Sequence, residues 1–309
     1  MRHAAHRRRR DWKRQTPVFT ATLTLVAVVV VASLVLWNRR PSVSIGPSAS
    51  STTVVTTTEP VVHSSQMVKA ITTLLGTRSG QIEVAVDEVN KHVTLTAGRQ
   101  LPQAEASVVK VNILAALLTT SSRTNTPLSA TDQNLAESMI EESDNDSATS
   151  LWDAAGGTSG IEKFDSSLGL TRTTPSTCVV CAGFPWPGWG LTTTTPLDEI
   201  RLLRAIFFSD TDLNAVNRAT MLHLMESVIS IERWGISTGV VGGATVALKN
   251  GWLPLNASST DWQINSVGWV HGDGRNYLIA LFSTGNPNEA YGIQTLNEIS
   301  QIVWSYSGN

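Results

Sequence analysis

The 309-residue chain has little net charge and few cysteines. Its 23 Lys and Arg residues nearly balance 25 Asp and Glu residues, which leaves a formal net charge of −2. This balance gives no indication of a nucleic-acid-binding protein. Cys178 and Cys181 are the only cysteines, and a zinc site would need two further ligands, whereas no His lies near them in the sequence. We therefore expect neither a metal nor an organic cofactor.

Charge is unevenly distributed at the start of the chain. Residues 1–16 are rich in Arg and Lys, and residues 17–37 carry no charge. About 20 apolar residues suffice to cross a bilayer, so residues 17–37 are predicted to form a membrane anchor. A cleaved signal peptide, the alternative, would have a shorter apolar core and a small-residue cleavage site, whereas Asn38-Arg39-Arg40 follows here.

The excess of basic residues before the apolar run also predicts an orientation. By the positive-inside rule, residues 1–16 form a cytoplasmic tail, and the chain beyond the single span lies outside the cytoplasm. Residues 38–65 are rich in Ser, Thr, Val and Pro. They show no periodic apolar face, so we expect an extended tether. A β-strand is the alternative for this segment. The folded domain is then predicted to span residues 66–309.

Hydrophobic periodicity predicts a mixed domain. Alternation of apolar and polar residues predicts a hairpin of strands 81–89 and 92–98 at a sheet edge, turning at Asn90-Lys91. Strands from both ends of the chain would build one sheet, with an inserted helical lobe. Further strands are predicted at residues 244–250, 262–270 and 277–283, and helices at residues 67–75, 129–141, 146–155, 160–168, 197–208, 213–229 and 288–305.

Ser107 and Lys110 are candidates for nucleophilic catalysis. A serine hydroxyl is a poor nucleophile near neutral pH and needs a base within hydrogen-bonding reach. If Ser107 opens a helix, Lys110 projects from the same face, so the hydroxyl and the amine would converge. The helix N-terminus would also favour negative charge developing beside the nucleophile. Alone, the pair is also consistent with an exposed helix start, because Ser is a common N-cap.

The order of three short motifs makes the chemistry more specific. Ser107-Val108-Val109-Lys110, Ser143-Asp144-Asn145 and Lys249-Asn250-Gly251 resemble the S-x-x-K, S-D-N and K-T-G motifs of the serine penicillin-recognising enzymes, which are the class A β-lactamases and penicillin-binding proteins. Thr193-Thr194-Thr195-Pro196 resembles the segment after their omega loop. The resemblance runs from about Gln66 to the C-terminus. It implies a β-lactamase/transpeptidase-like α+β fold (an α/β sandwich), with an antiparallel sheet built from both chain ends and covered by terminal helices.

The resemblance also implies roles for individual residues. Lys110 would activate Ser107, and Ser143 with Lys249 would pass a proton to the leaving group. The backbone N–H groups of Ser107 and Trp252 would form an oxyanion hole. The residues implied in substrate binding are Asn145, Asn250, Gly251 and Trp252. Two alternatives are structural: residues 143–145 as the cap of the next helix, and Lys249 as an outward-facing strand residue.

The chain departs from the family pattern at two places. Class A β-lactamases keep a glutamate in the omega loop to activate the deacylating water, but residues 171–191 contain no Glu or Asp. By the family logic, such a site would acylate and then deacylate slowly. Asn250 stands where the third motif usually has Thr or Ser, so recognition of a carboxylate would be weakened or altered.

The segment that replaces the hydrolytic loop contains both cysteines and two tryptophans. Outside the cytoplasm a disulfide between Cys178 and Cys181 is favoured, since a thioredoxin-like site would need a βαβ context. Trp186 and Trp189 would either rim a ligand site or anchor the loop.

These observations predict a membrane-anchored, extracytoplasmic serine hydrolase-like protein. Its substrate would be a β-lactam or a peptidoglycan stem peptide. The alternative from another class is a catalytically weak or dead binding module for cell-wall peptides or a protein partner, and a third hypothesis is an active β-lactamase that draws its base from elsewhere.

Overall fold

A computed structural model describes residues 59–209, 213–255 and 260–308. The predicted cytoplasmic tail, the membrane anchor and the tether up to residue 58 lie outside these residues. Within the described ranges, no helix has both the length and the apolar character needed to cross a bilayer.

The main sheet has five antiparallel strands in the order β2-β1-β7-β6-β5. The β1-β2 hairpin therefore lies at one edge and β5 at the other, and strands from both ends of the chain meet where β1 pairs with β7. A short ribbon, β3-β4, lies outside this sheet. The strands are β1 (Gln81–Glu88), β2 (Val93–Ala97), β3 (Gln103–Ala104), β4 (Thr193–Thr194), β5 (Thr245–Pro254), β6 (Trp262–Gly272) and β7 (Arg275–Asn286).

Within residues 59–209, 213–255 and 260–308, eight α-helices cover the sheet and form the lobe between β3 and β5. They are α1 (Glu59–Leu75), α2 (Val109–Thr124), α3 (Ala130–Glu141), α4 (Asn145–Ala154), α5 (Gly157–Leu168), α6 (Pro196–Phe208), α7 (Ala215–Glu226) and α8 (Glu289–Tyr306). The terminal helices α1 and α8 pack together, and α8 lies on β6 and β7. Helix α6 packs on β1 and β7, and α2 contacts α3, α4, α5 and α7. The predicted α+β architecture is confirmed.

Helix α2 is the centre of the lobe because nearly every side chain in its first three turns is buried, from Val109 to Thr119. Its apolar run belongs to one continuous core with the sheet. Each fully buried aliphatic side chain of this kind contributes roughly 1.5–3 kcal/mol. The packing therefore holds the start of α2, with Ser107 just before it, firmly against the sheet.

The first helix begins earlier than the sequence predicts. Helix α1 starts at Glu59, inside the segment assigned to the tether, rather than at Met67. The Ser64 hydroxyl donates a 2.9 Å hydrogen bond to Glu88 Oε2 on β1, and Met67 and Ile71 are buried on the same helix. This contact across to the sheet orders residues whose own composition gives no apolar periodicity.

Candidate active site

Ser107 lies in a 3₁₀ turn, Ala106–Val108, that leads directly into α2. Ala106 has a φ of 50°, a left-handed conformation that costs a non-glycine residue about 1–2 kcal/mol. Backbone and side-chain contacts hold the turn in place. The Glu105 N–H donates to Thr192 O at 2.8 Å, and Asn265 Nδ2 on β6 donates to Glu105 O at 2.8 Å. Strained backbone of this kind is characteristic of functional sites.

The Lys110 side chain is fully buried and contacts Ser143 rather than Ser107. Its Nζ lies 2.5 Å from Ser143 O, 3.1 Å from Ser143 Oγ and 2.9 Å from Asn145 Oδ1. In the described part of the chain, no hydrogen bond joins the Ser107 hydroxyl to this amine. The predicted convergence of the two groups is therefore absent from the substrate-free structure, because three oxygens of the second motif already surround the amine.

Burial and the charge of Lys249 lower the pKa of Lys110 well below its ordinary value. A neutral amine has two N–H groups and one lone pair. Ser143 O and Asn145 Oδ1 can only accept, so they take the two N–H groups, and the lone pair is left for the Ser143 hydroxyl. The Trp189 ring covers the amine, with its centroid 5.1 Å away. The arrangement suits a proton acceptor.

A second buried lysine reaches the same hydroxyl from β5. Lys249 Nζ donates to Ser143 Oγ at 2.9 Å and to Asn250 O at 3.0 Å, and its side chain has no exposed surface. Burial lowers the pKa of Lys249 to about 8. Ser143 Oγ thus contacts two buried lysines, and the pKa of each is lowered by burial. The outward-facing alternative for Lys249 is wrong.

The second motif also caps a helix, as its residue types suggest. Asp144 Oδ1 accepts from the Ser147 N–H at 2.6 Å at the start of α4, and hydrogen bonding by the side chain and then the backbone of Ser147 lowers the pKa of Asp144. Ser143 has a φ of 59° just before the cap. The cap thus fixes the loop that presents Ser143 and Asn145, and the capping and catalytic interpretations hold together.

Gly251 meets the nucleophile's own backbone. A Cβ added there would lie 2.8 Å from Ser107 N, 2.9 Å from Glu105 O and 2.9 Å from Val108 N. The family resemblance implies a substrate-binding role for this glycine. The structure instead shows that the absence of a side chain lets the Ser107 turn lie directly on β5.

Asn250 does not face the cleft. Its side chain is fully buried, and Nδ2 donates to Glu232 O at 2.7 Å and Trp234 O at 3.1 Å. The expectation that Asn250 contacts substrate is therefore corrected. The longer amide of Asn reaches backbone carbonyls behind the strand that the hydroxyl of Thr or Ser would not satisfy.

A cleft with a cavity volume of about 230 Å³ opens beside Ser107. The loop with Trp186 and Trp189 forms one wall, and Trp252 at the end of β5 contributes to the other. Trp186 is 46% exposed, while Trp189 is buried and its Nε1 donates to Thr149 Oγ1 at 3.0 Å. Both interpretations of these tryptophans hold, one as rim and one as anchor. The lining residues are Ala106, Ser107, Ser143, Asn145, Trp186, Pro187, Trp189, Gly190, Trp252, Leu253, Pro254 and Trp262.

Cys178 and Cys181 form a disulfide bond in the loop that precedes this wall. Gly188 packs against the bridge, since a Cβ at this position would lie 2.2 Å from Cys181 Sγ and 2.3 Å from Cys178 O. The Gly188 N–H donates to Val179 O at 2.6 Å. The disulfide thus supports the segment that carries Trp186 and Trp189.

A group of buried carboxyls beneath the Ser107 turn was missed by the sequence analysis. Both Glu105 oxygens and Glu199 Oε2 have no hydrogen-bond partner among the described residues. Burial, reinforced by neighbouring carboxyls, raises the pKa of Glu105 well above its usual range and that of Glu199 to about 8. Burial and Asp198 raise the pKa of Asp165 to about 7. These acids therefore retain protons at pH values where surface carboxyls are ionised.

One sequence signal did point to part of this group. Asp165 stands at a buried helical position in α5 beside Ile161 and Phe164, in the i, i+3, i+4 spacing of a core-facing stripe. Glu199 gave no such signal, because acids are ordinary in the first turn of a helix.

In the parts of the chain that the structure describes, no group of three or more His, Cys, Asp or Glu side chains could hold a metal ion.

One family model and several solved structures are similar to this chain. A family model described as the beta-lactamase enzyme family matches residues 122–307, which include the second and third motifs and begin after Ser107 and Lys110. No curated protein matches the chain.

Several solved structures share the fold at low sequence identity. A class A beta-lactamase from Bacteroides cellulosilyticus is 17% identical with a TM-score of 0.67, over 79% of this chain and 98% of its own. A class A beta-lactamase from Mycobacterium abscessus is 20% identical with a TM-score of 0.63, over 77% and 98%. A mutant of PBP-A, solved as an acyl-enzyme complex with penicillin G, is 19% identical with a TM-score of 0.65, over 78% and 96%. At these identities the likeness shows the fold alone.

Proposed function

The chain belongs to the beta-lactamase enzyme family, and we propose that it catalyses acyl transfer through a covalent acyl-enzyme on Ser107. The observation that carries the proposal is the contact of two buried lysines with one hydroxyl, Ser143 Oγ, beside the cleft that Ser107 lines. Burying two amines costs desolvation free energy, and a site that only binds a ligand needs no such pair.

Acylation begins with attack of Ser107 Oγ on the substrate carbonyl carbon. Lys110 accepts the proton, and burial together with the charge of Lys249 favours its neutral form by lowering its pKa. Its amine lies on Ser143 in the free protein, and its contact with Ser107 forms when substrate is bound, since catalytic hydrogen bonds often tighten only in the complex. The N–H groups of Ser107 and Trp252 stabilise the oxyanion.

Collapse of the tetrahedral intermediate breaks the carbonyl C–N bond and expels the leaving nitrogen. Ser143 donates its proton to that nitrogen and regains one from Lys249, which is mostly protonated at neutral pH. The acyl group then remains on Ser107 until water attacks it. By family resemblance the substrates are β-lactam or peptidoglycan-peptide-like amides.

Deacylation is proposed to be slow. Residues 171–191 supply no carboxylate to activate water. Glu105, two positions before the nucleophile, is poorly suited to replace it, because burial raises its pKa well above the usual range and so favours the protonated form. A protonated carboxyl cannot act as a general base.

The test is the intact mass of the full chain with and without benzylpenicillin, beside Ser107→Ala. A stable adduct on the wild type alone supports both the nucleophile and the slow hydrolysis. Rapid turnover without an accumulated adduct would overturn slow deacylation and support a base drawn from elsewhere. If neither benzylpenicillin nor a broad serine-reactive fluorophosphonate forms an adduct, the proposed acyl transfer on Ser107 is refuted and the binding module is favoured.

The proposed location is the outer face of a cell membrane. The uncharged run at residues 17–37 and the basic residues before it support a single-pass anchor with a cytoplasmic N-terminus. Protease added to intact cells should remove the C-terminal domain, and full protection would contradict this orientation.

A further inference from the structure

The cleft beside Ser107 is aromatic and carries no formal charge. Four tryptophans, Trp186, Trp189, Trp252 and Trp262, contribute to its lining, and Pro187, Leu253 and Pro254 add further apolar surface. The polar side chains among the lining residues, apart from the indole N–H groups, are Ser107, Ser143 and Asn145. None of the lining residues is Lys, Arg or His.

The groups expected to bind a substrate carboxylate are turned away or already engaged. Lys249 has no exposed surface, and its amine donates to Ser143 Oγ and Asn250 O. Asn250 directs its amide to the carbonyls of Glu232 and Trp234. Arg233, which was not predicted to bind substrate but contacts β5, is likewise engaged, since it donates to Glu226 O and Val246 O. A carboxylate entering this cleft would lose water without gaining a direct hydrogen bond from a charged side chain, because the Lys249 amine lies behind Ser143, and this loss is unfavourable.

The aromatic residues come from both walls of the cleft. Trp186 lies on the loop supported by the disulfide and Trp252 at the end of β5. Trp252 is itself held edge-on by Trp234, with ring centroids 6.3 Å apart. Flat rings between such walls find partners for stacked or edge-to-face contacts.

We propose that the cleft selects uncharged substrates whose acyl group carries an aromatic ring, and that acylation needs no carboxylate beside the scissile bond. This inference rests on the proposed function, because it concerns acylation of Ser107. The reaction itself is unchanged: the carbonyl carbon is transferred to Ser107 Oγ, and the leaving group departs with a proton from Ser143.

Two matched pairs of substrates test the inference on the full chain. The first pair is benzylpenicillin and its methyl ester, which differ only in the carboxylate. The second pair is the p-nitrophenyl esters of phenylacetic and acetic acid, which differ in the acyl ring. Second-order acylation rates are measured by intact mass for the penicillins and by nitrophenol release for the esters.

The expected result is that the methyl ester acylates within about threefold of the free acid or faster. The phenylacetyl ester should be preferred about tenfold over the acetyl ester, the size of one good aromatic contact. Trp186→Ala should reduce that preference severalfold, and Trp186→Phe should retain most of it. Phe208→Ala removes an exposed aromatic ring remote from the cleft and should leave the preference unchanged.

Two results would overturn the inference. One is a free acid that acylates more than tenfold faster than its ester, and the other is equal rates for the phenylacetyl and acetyl esters. If Ser107 reacts with a fluorophosphonate but with none of the four substrates, the substrate class is wrong and the nucleophile stands. If nothing labels Ser107, both the inference and the proposed function fail.

Discussion

Replacing the buried Glu199 by Gln should make the protein's stability less dependent on pH. Glu199 lies on the first turn of α6 and is buried, and its Oε2 has no hydrogen-bond partner among the described residues. Burial, and then the charges of Asp165 and Asp198, raise its pKa from 4.5 to about 8. Gln has nearly the same shape and does not titrate.

The sign follows from where the proton resides. Below pH 4.5 the folded and unfolded states both hold it, so the group adds no pH dependence. Between pH 4.5 and about 8 the folded state keeps the proton and the unfolded state loses it, so the free energy of unfolding falls as pH rises. The slope is up to about 1.4 kcal/mol per pH unit, and the whole window corresponds to on the order of 5 kcal/mol. Glu105, whose pKa is also raised by burial, shares part of this effect.

Urea unfolding of the full chain and of Glu199→Gln at pH 5, 6, 7 and 8 measures the effect. We expect the free energy of unfolding of the variant to gain at least about 1 kcal/mol relative to that of the wild type between pH 5 and pH 7. Glu298→Gln is the control, because its hydrogen bond with Arg78 lowers the pKa of Glu298, so its effect on the pH dependence falls below pH 4.5. Parallel pH profiles for the wild type and Glu199→Gln would refute the reasoning.

Three further predictions concern the site. Gly251→Ala should slow acylation at least a hundredfold in a folded protein, because its Cβ would lie 2.8 Å from Ser107 N; an effect below threefold would contradict the contact. Acylation rates should rise with pH as Lys110 loses its proton and fall near pH 8 as Lys249 loses its own; a flat profile from pH 5 to 10 would argue against this assignment. Replacing Cys178 and Cys181 by Ser should cost about 2 kcal/mol, since the bridge closes a very short loop, and urea unfolding with and without reductant checks this.

Local pattern was enough to predict most of the fold. The strand alternation around Asn90-Lys91 correctly predicts an edge hairpin, and the motif order correctly predicts that Ser143 and Lys249 meet. The first prediction depends on the alternation of neighbouring residues, and the second depends on the family resemblance of the three motifs. The start of α1 depends instead on the contact of Ser64 with Glu88, which joins residues far apart in the chain.

Side-chain direction within the site could not be predicted in the same way. Lys110 has the right spacing in the sequence to reach Ser107, but its amine hydrogen-bonds to Ser143 O and Asn145 Oδ1 of the second motif. Asn250 occupies a binding position in the motif, yet its amide reaches backbone behind the strand. The Glu105 carboxyl is buried by tertiary packing that no periodicity reveals. In each case the outcome depends on which polar partners the fold brings near.

The close fit of Gly251 against the Ser107 turn limits how this protein can acquire new specificities. Any side chain at position 251 would displace the turn that carries the nucleophile, so this position is closed to stepwise mutation. The loop on the other side of the cleft, residues 184–190, is supported by the nearby disulfide. Adaptive substitutions, in nature or in a directed-evolution library, should therefore accumulate around Trp186 before any appears at position 251.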